Sequence, residues 1–315
     1  MEAGVAQSRP LTAIGLRLGA AFALSTLSLL VKLVGEQGVH LLEIIFWRQA
    51  VTLLAMIAFA AATIGLLALK PVRFRAHVVR STFGIVGMAL VYGAVILLPL
   101  AEATTINFTA PIWAVVLSML LLKEKIGRYR WGAVVIGFVG ILVVTQPGSS
   151  PVDPLGIAVG LAGAFMVALI SIQIQDLNKT ENATSIVFWF CLLTAPFLAL
   201  ALPFVGKAHS GETWLLLAGV GISGAVAQLL LTNSLRYGSA ATVIVMDYTA
   251  LLWATLYGWQ FFDTLPVANT WIGAPIIILA GTIIVVREGH LARKARRSAR
   301  PERPHVPAPE EPLAP

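Results

Sequence analysis

The chain has 315 residues, 58% hydrophobic and only 12% charged, with mean hydropathy +0.86 and a formal net charge of +7. Soluble domains carry about a quarter charged residues, so this composition excludes an ordinary soluble domain and places most of the chain in lipid. A single cysteine, Cys191, excludes a disulfide or cysteine metal site within one chain.

Crossing the hydrocarbon takes about 20 mainly apolar residues, and ten spans are predicted: 11–33, 41–67, 79–98, 101–122, 129–146, 155–175, 185–205, 213–235, 239–262 and 268–286. The first run has no small-residue cleavage pattern, so it reads as a span and not as a removed signal peptide. From Arg287 the composition changes abruptly, first basic and then rich in Pro and Glu. Such a stretch cannot offset its ordering entropy, and 287–315 is expected to be a disordered tail whose basic part attracts anionic lipid headgroups.

Tryptophans divide these spans into two halves. Trp47 and Trp189, Trp113 and Trp253, and Trp131 and Trp271 lie 142, 140 and 140 residues apart, with Ile44 and Phe46 matching Ile186 and Phe188, and Thr109 and Ala110 matching Thr249 and Ala250. An internal duplication accounts for this. Its units are 11–146 and 154–286, with 1–10 as a short leading segment.

Lys and Arg set the orientation. With the N-terminus inside, 18 of the 22 fall in cytoplasmic segments, Lys32 and Lys207 fall outside, and Arg17 and Arg48 lie within spans. Both termini are therefore expected in the cytoplasm, and topology explains the positive charge without a nucleic-acid partner. Five crossings per half also invert the second half. Inverted repeats with a site between them near the midplane are a recurrent plan of secondary transporters.

Polar groups inside the spans are the candidates for such a site, because ionisable side chains in lipid are expensive and usually face an interior. Asp247 lies too deep in span 9 to reach water by snorkelling. The 140-residue offset sets it opposite Asn107, and each is followed two residues later by a threonine, Thr249 and Thr109. Asp247 would hold a cationic group of a substrate when ionised, or carry a coupling proton when neutral. Tyr248 and the hydroxyls beside Asn107 offer hydrogen bonds. The competing reading is that Asp247 and Asn107 simply tie helices together.

Arg48 would meet a substrate carboxylate or phosphate, or pair with Glu43 or helix carbonyls. Tyr92, Gln173 and Gln228 are further cavity candidates, with interhelical hydrogen bonds as the alternative. Arg17, near the start of span 1, is expected to snorkel to the headgroups. Pro111 would break span 4, but Leu251 holds the matched place in span 9, so a break is expected in one half only. Walker-type phosphate loops, His-Glu-x-x-His pairs and Cys/His clusters are absent, so neither a cofactor nor a metal is expected.

The run Thr-Ala-Pro-Ile-Trp from Thr109, the segments 120–133 and 137–144, and Arg48 resemble the EamA repeat of the drug/metabolite transporter superfamily. Segments 80–89 and 98–111 resemble the branch that includes bacterial S-adenosylmethionine and riboflavin uptake proteins. This resemblance implies an all-α integral membrane protein of ten transmembrane helices in two inverted five-helix repeats, with a central cavity and small-metabolite transport. The second half departs from the pattern: Phe190 stands where Arg48 predicts an arginine, and Asp263 stands near the place where the family repeat has Gly or Leu before Glu.

The expected function is secondary transport of a small zwitterionic or cationic metabolite across the bacterial inner membrane, S-adenosylmethionine being the first cargo to consider. Export of amino acids or related metabolites and riboflavin uptake are alternatives. An intramembrane acyl-transfer enzyme using Asp247 and Tyr248 is the remote one, since all five histidines are expected outside the spans and no catalytic residue is assigned. Membrane lipid and the cargo are the expected partners; the sequence is silent on oligomeric state.

Overall fold

The structure, a computed structural model, describes residues 10–122, 128–145, 153–177, 180–237 and 244–298. The described residues form helices α1 (Pro10–Glu36), α2 (Leu41–Thr63), α3 (Phe74–Leu97), α4 (Leu100–Asn107), α5 (Ala110–Leu122) and α6 (Arg128–Thr145), then α7 (Pro154–Leu177), α8 (Ala183–Val205), α9 (Gly211–Tyr237), α10 (Ala250–Phe262) and α11 (Ala268–Ser298). Short 3-10 turns stand at Leu66–Leu69 and Ile244–Thr249. By length and composition, seven described segments are apolar enough to cross a membrane, α4 and the start of α5 counting as one; parts of α6 and α11 are apolar but shorter.

Local chemistry starts these helices where the chain turns. His40 Nδ1 accepts from the backbone N–H of Leu42, and Asn182 Oδ1 accepts from that of Ser185 at 2.7 Å. Asp153 caps the N–H groups of Leu155 and Gly156 just before Pro154, a residue whose missing N–H is harmless in a first turn.

Packing is reciprocal. Helix α1 lies on α9 and α3 on α7, α2 on α8, α6 on α11 and α4 on α10. Small residues allow the closest of these contacts: a Cβ added to Gly140 would stand 2.7 Å from Ile277, and one added to Gly273 would stand 2.8 Å from the Gly140 carbonyl. Among the paired tryptophans, Trp47 meets Trp214 edge-on at 5.0 Å and Trp189 meets Phe74 at 5.5 Å, whereas Trp131 and Trp271 are largely exposed on the bundle's outside.

Three sequence expectations change here. Helix α11 continues to Ser298, so 287–298 is helical and not disordered, because Lys, Arg and Ala propagate a helix that span 10 has already nucleated; residues 299–315, like 1–9, lie outside those described. Span 4 breaks at Phe108 and Thr109, and span 9 also changes geometry, from a 3-10 turn to α-helix at the matched position, Ala250. The break therefore occurs in both halves and does not depend on Pro111 alone. Third, His77 sits in α3 and is fully buried.

His77 belongs to a clamp. Its Nε2 lies 3.2 Å from Glu181, whose side chain is 2% exposed and accepts the backbone N–H groups of Val72 and Arg73 at 2.8 Å each. A counterpart stands between α2 and the loop before α9, where Glu43 meets His209 at 2.8 Å beside Trp214. Burial pushes the Glu181 carboxyl up, but the Arg73 and Val72 N–H groups and His77 outweigh it and hold its pKa below the ordinary value. A depressed carboxylate contributes stability that is fully present above its unfolded pKa, about 4.3, and lost as pH falls through the folded value. Melting in detergent should fall as pH drops below about 4.3. Glu181→Gln should flatten that limb and lose about 1–3 kcal/mol at neutral pH.

Candidate functional site

The 3-10 turn before α10 brings Asp247 against α1. There Arg17 Nε donates to Asp247 Oδ1 at 2.6 Å and Nη2 donates to Oδ2, a two-pronged ion pair across 230 residues. The Arg17 side chain is 7% exposed and that of Asp247 32%. Arg17 is thus not an anchor at the headgroups, as its position near the start of span 1 suggested. A counter-ion for Asp247 outweighs snorkelling, because an unpaired carboxylate in the bundle is the more costly arrangement. The sequence held a usable signal: Arg17 and Asp247 lie at similar depths from the same predicted membrane face.

Around the pair, Ser25 donates to the Ala250 carbonyl at 3.3 Å and Thr26 meets the Tyr257 hydroxyl at 3.0 Å, fastening α1 along α10. Tyr248 stacks edge-on against Phe108 at 5.0 Å, so the broken segments of spans 4 and 9 face each other. Its hydroxyl points to Gly281 and Thr282 of α11. Thr109 and Thr249 turn back to their own helices, donating to Ile106 and Met246 carbonyls. Asn107 Oδ1 is buried without a partner. No hydrogen bond joins Asn107 to Asp247 among the described residues.

Arg48 and Tyr92 fall together elsewhere. Arg48 Nη1 donates to Gln49 Oε1 at 2.6 Å, Gln49 Nε2 donates to Thr194 at 2.6 Å, and the Tyr92 hydroxyl lies within reach of Arg48. Glu43 is not the partner of Arg48, since it faces His209. Gln173 on α7 leaves Oε1 buried and unpaired, and Gln228 on α9 is half-buried. Neither is hydrogen-bonded to these groups among the described residues.

Besides Arg17, sequence reasoning missed the burial of two further cations. Arg80, counted as a cytoplasmic topology charge, is 7% exposed with its guanidinium 3.8 Å from the centre of the Phe190 ring. Lys32, counted as an outside charge, is 9% exposed and donates to the Leu98 carbonyl at 2.9 Å. Near Lys32, a cavity of about 530 Å³ opens between the ends of α1, α3 and α10, lined by Glu36, Leu98, Gln260, Phe262 and Asp263. Asp263 closes α10 with φ of 50°, a left-handed turn that Asp tolerates better than most residues. Lys32 is 15 residues beyond Arg17, or roughly 22 Å at 1.5 Å per residue. Helix α1 therefore meets the turn before α10 in an ion pair at one end and lines a cavity with the end of α10 at the other, where Lys32 lies 5.4 Å from the centre of the Phe262 ring.

The comparisons agree with a membrane protein of this kind. The EamA-like transporter family model matches residues 11–146 and again 154–287, and the chain belongs to that family. It is 28% identical to a riboflavin transporter of Vibrio cholerae over 79% of this chain and 87% of that protein. It is 30% identical to the pseudopaline exporter CntI of Pseudomonas aeruginosa over 83% and 91%. A solved crystal structure shares the fold with a TM-score of 0.63 at 20% identity, covering 89% of this chain and 99% of its own. The protein is thus a multi-pass membrane transporter of small molecules.

Breaking a buried ion pair from one side costs about 3–5 kcal/mol. Solvent reaching Asp247 lowers that, so Arg17→Ala or Asp247→Ala should lose about 1–3 kcal/mol in detergent melts. The paired replacement Arg17→Met with Asp247→Leu should recover most of the loss.

Proposed function

We propose that the protein is a secondary transporter that exposes one site alternately to the two faces of the bacterial inner membrane, with both termini cytoplasmic and ten crossing helices in two inverted repeats. The observation that carries this reading is the asymmetry along α1: an ion pair joins it to the turn before α10 at the Arg17 end, while a cavity of about 530 Å³ lies beside it at the Lys32 end. Reciprocal helix packing, the matched acid and histidine clamps and the paired breaks in spans 4 and 9 support the repeat. The positive-inside bias supports the orientation, which makes this form open to the outside.

Asp247 is the coupling group in this proposal. Protonation removes its charge, releases Arg17 and frees α1 to part from α10, so the proton gradient drives closure at one face against opening at the other. A small zwitterionic or cationic metabolite is the cargo class, with S-adenosylmethionine the first compound to assay; the uncharged riboflavin, for which a relative is named, is the alternative. The exporter among the relatives makes outward transport the second reading.

Proteoliposome uptake of both compounds, with and without an imposed pH gradient, tests the coupling. Wild type should be stimulated by the gradient and Asp247→Asn should lose at least about tenfold of that component; full gradient-driven uptake by Asp247→Asn rules the coupling role out. Gln260→Cys tests the orientation. Cys191 is fully buried, so a membrane-impermeant maleimide should label the new thiol from outside intact cells, and more slowly during transport. Labelling only from the cytoplasmic side would reverse the topology.

A further inference from the structure

Two arginines are buried in the bundle with no acid paired to them among the described residues. Arg48 on α2 is 8% exposed and Arg80 on α3 is 7% exposed. Among the described residues, every ion pair involves other groups. Gln49 Oε1 accepts from Arg48 at 2.6 Å and lies 3.7 Å from the Cys191 thiol, and the ring under Arg80 belongs to Phe190, the residue before Cys191, so the two guanidiniums approach neighbouring positions of α8 and their mutual repulsion adds to the penalty of burial.

Their neighbours are neutral. Gln49 and Tyr92 serve Arg48, and the Phe190 ring serves Arg80. Three nitrogens, Arg48 Nε and Arg80 Nε and Nη1, stay buried with no acceptor. Phe190 occupies the place where the repeat predicts an arginine matching Arg48, and the guanidinium of Arg80 lies over its ring. A second cation is thereby supplied at the matched position from the neighbouring helix. Glycines make the room: a Cβ on Gly84 would run into Arg80 Nη1, and one on Gly224 would stand 3.1 Å from Arg48 Nε. The head groups are held by packing before any ligand arrives.

We infer that Arg48 and Arg80 form an oxyanion subsite that takes a carboxylate or phosphate group of the transported molecule between α2, α3 and α8. This rests on the transporter reading and narrows its cargo to compounds carrying an anionic oxygen group. Guanidinium forks match such groups with paired, charge-assisted hydrogen bonds. An uncharged analogue would leave the same donors unmatched, which is a source of selectivity.

Matched probes test this on the purified full-length protein in detergent: riboflavin against riboflavin 5′-phosphate, and S-adenosylmethionine against its methyl ester. Equilibrium binding at fixed ionic strength should favour the more anionic member of at least one pair by about tenfold or more. That preference should vanish in Arg48→Gln and Arg80→Gln and shrink in Gly224→Ala, which displaces Arg48 with its charge retained. Should Arg80→Gln fail to fold, Arg80→Lys replaces it, with the preference reduced by loss of the fork. Equal binding within both pairs, no binding of any probe, or a preference that survives these variants overturns the subsite. Uptake of both members of a pair into proteoliposomes without discrimination removes the subsite but leaves the transporter reading. An anion preference in binding with no uptake of any probe does the reverse.

Discussion

The ion pair between Arg17 and Asp247 joins segments 230 residues apart, and much of the surrounding arrangement follows from the need to keep a carboxylate charged within a helix bundle. Solvation lost on burial must be replaced by a close opposite charge and oriented donors. That requirement brings the start of span 9 against α1, and the hydroxyls of Ser25 and Thr26 then extend the contact along α10. The same α1 lines a cavity with the end of α10 15 residues further on, so the ion pair and the cavity lie at opposite ends of one helix. A group whose charge can be removed by a proton is a physical means of switching such a contact.

Two smaller clamps hold the frame around that contact. Glu181 gathers the loop before α3 through two backbone N–H groups and His77, and Glu43 holds the loop before α9 through His209. Trp189 against Phe74 and Trp47 against Trp214 repeat the same contact beside each clamp. Both clamps involve buried polar groups whose partners come from distant sequence, so they fix loop positions that helix packing alone would leave adjustable. The bundle between them is apolar, and it distinguishes its few charges sharply.

Much of the helical frame was legible in the sequence, because runs of apolar residues in lipid leave helices as the satisfied backbone arrangement. Most described helix ends fall within a few residues of the expected spans; α3 and α11 extend further. The candidate site was legible in part. Asp247 stood out by depth, and the structure brings its segment opposite the Asn107 break, yet Asn107 and Asp247 do not bond. Arg17 and Arg80 were misread because position near a helix end suits a snorkelling cation as well as a buried one. Only the neighbouring helices distinguish those cases. The helical stretch after Arg287 was missed for a different reason: composition opposes a packed core there, but a helix already formed extends at small cost.

The sequence by itself determined the solvent of this protein, its helical content, the charge asymmetry that supports its orientation and the duplication marked by the tryptophans. These follow from composition and spacing, which are local or additive along the chain. Tertiary structure decided which charges meet. It paired Asp247 with Arg17 and not with a neighbour in sequence, took Glu43 away from Arg48, and laid Arg80 over the phenylalanine that replaces an expected arginine. Such choices depend on distances between helices far apart in sequence, and in a low-dielectric interior those distances set the energy of every charge.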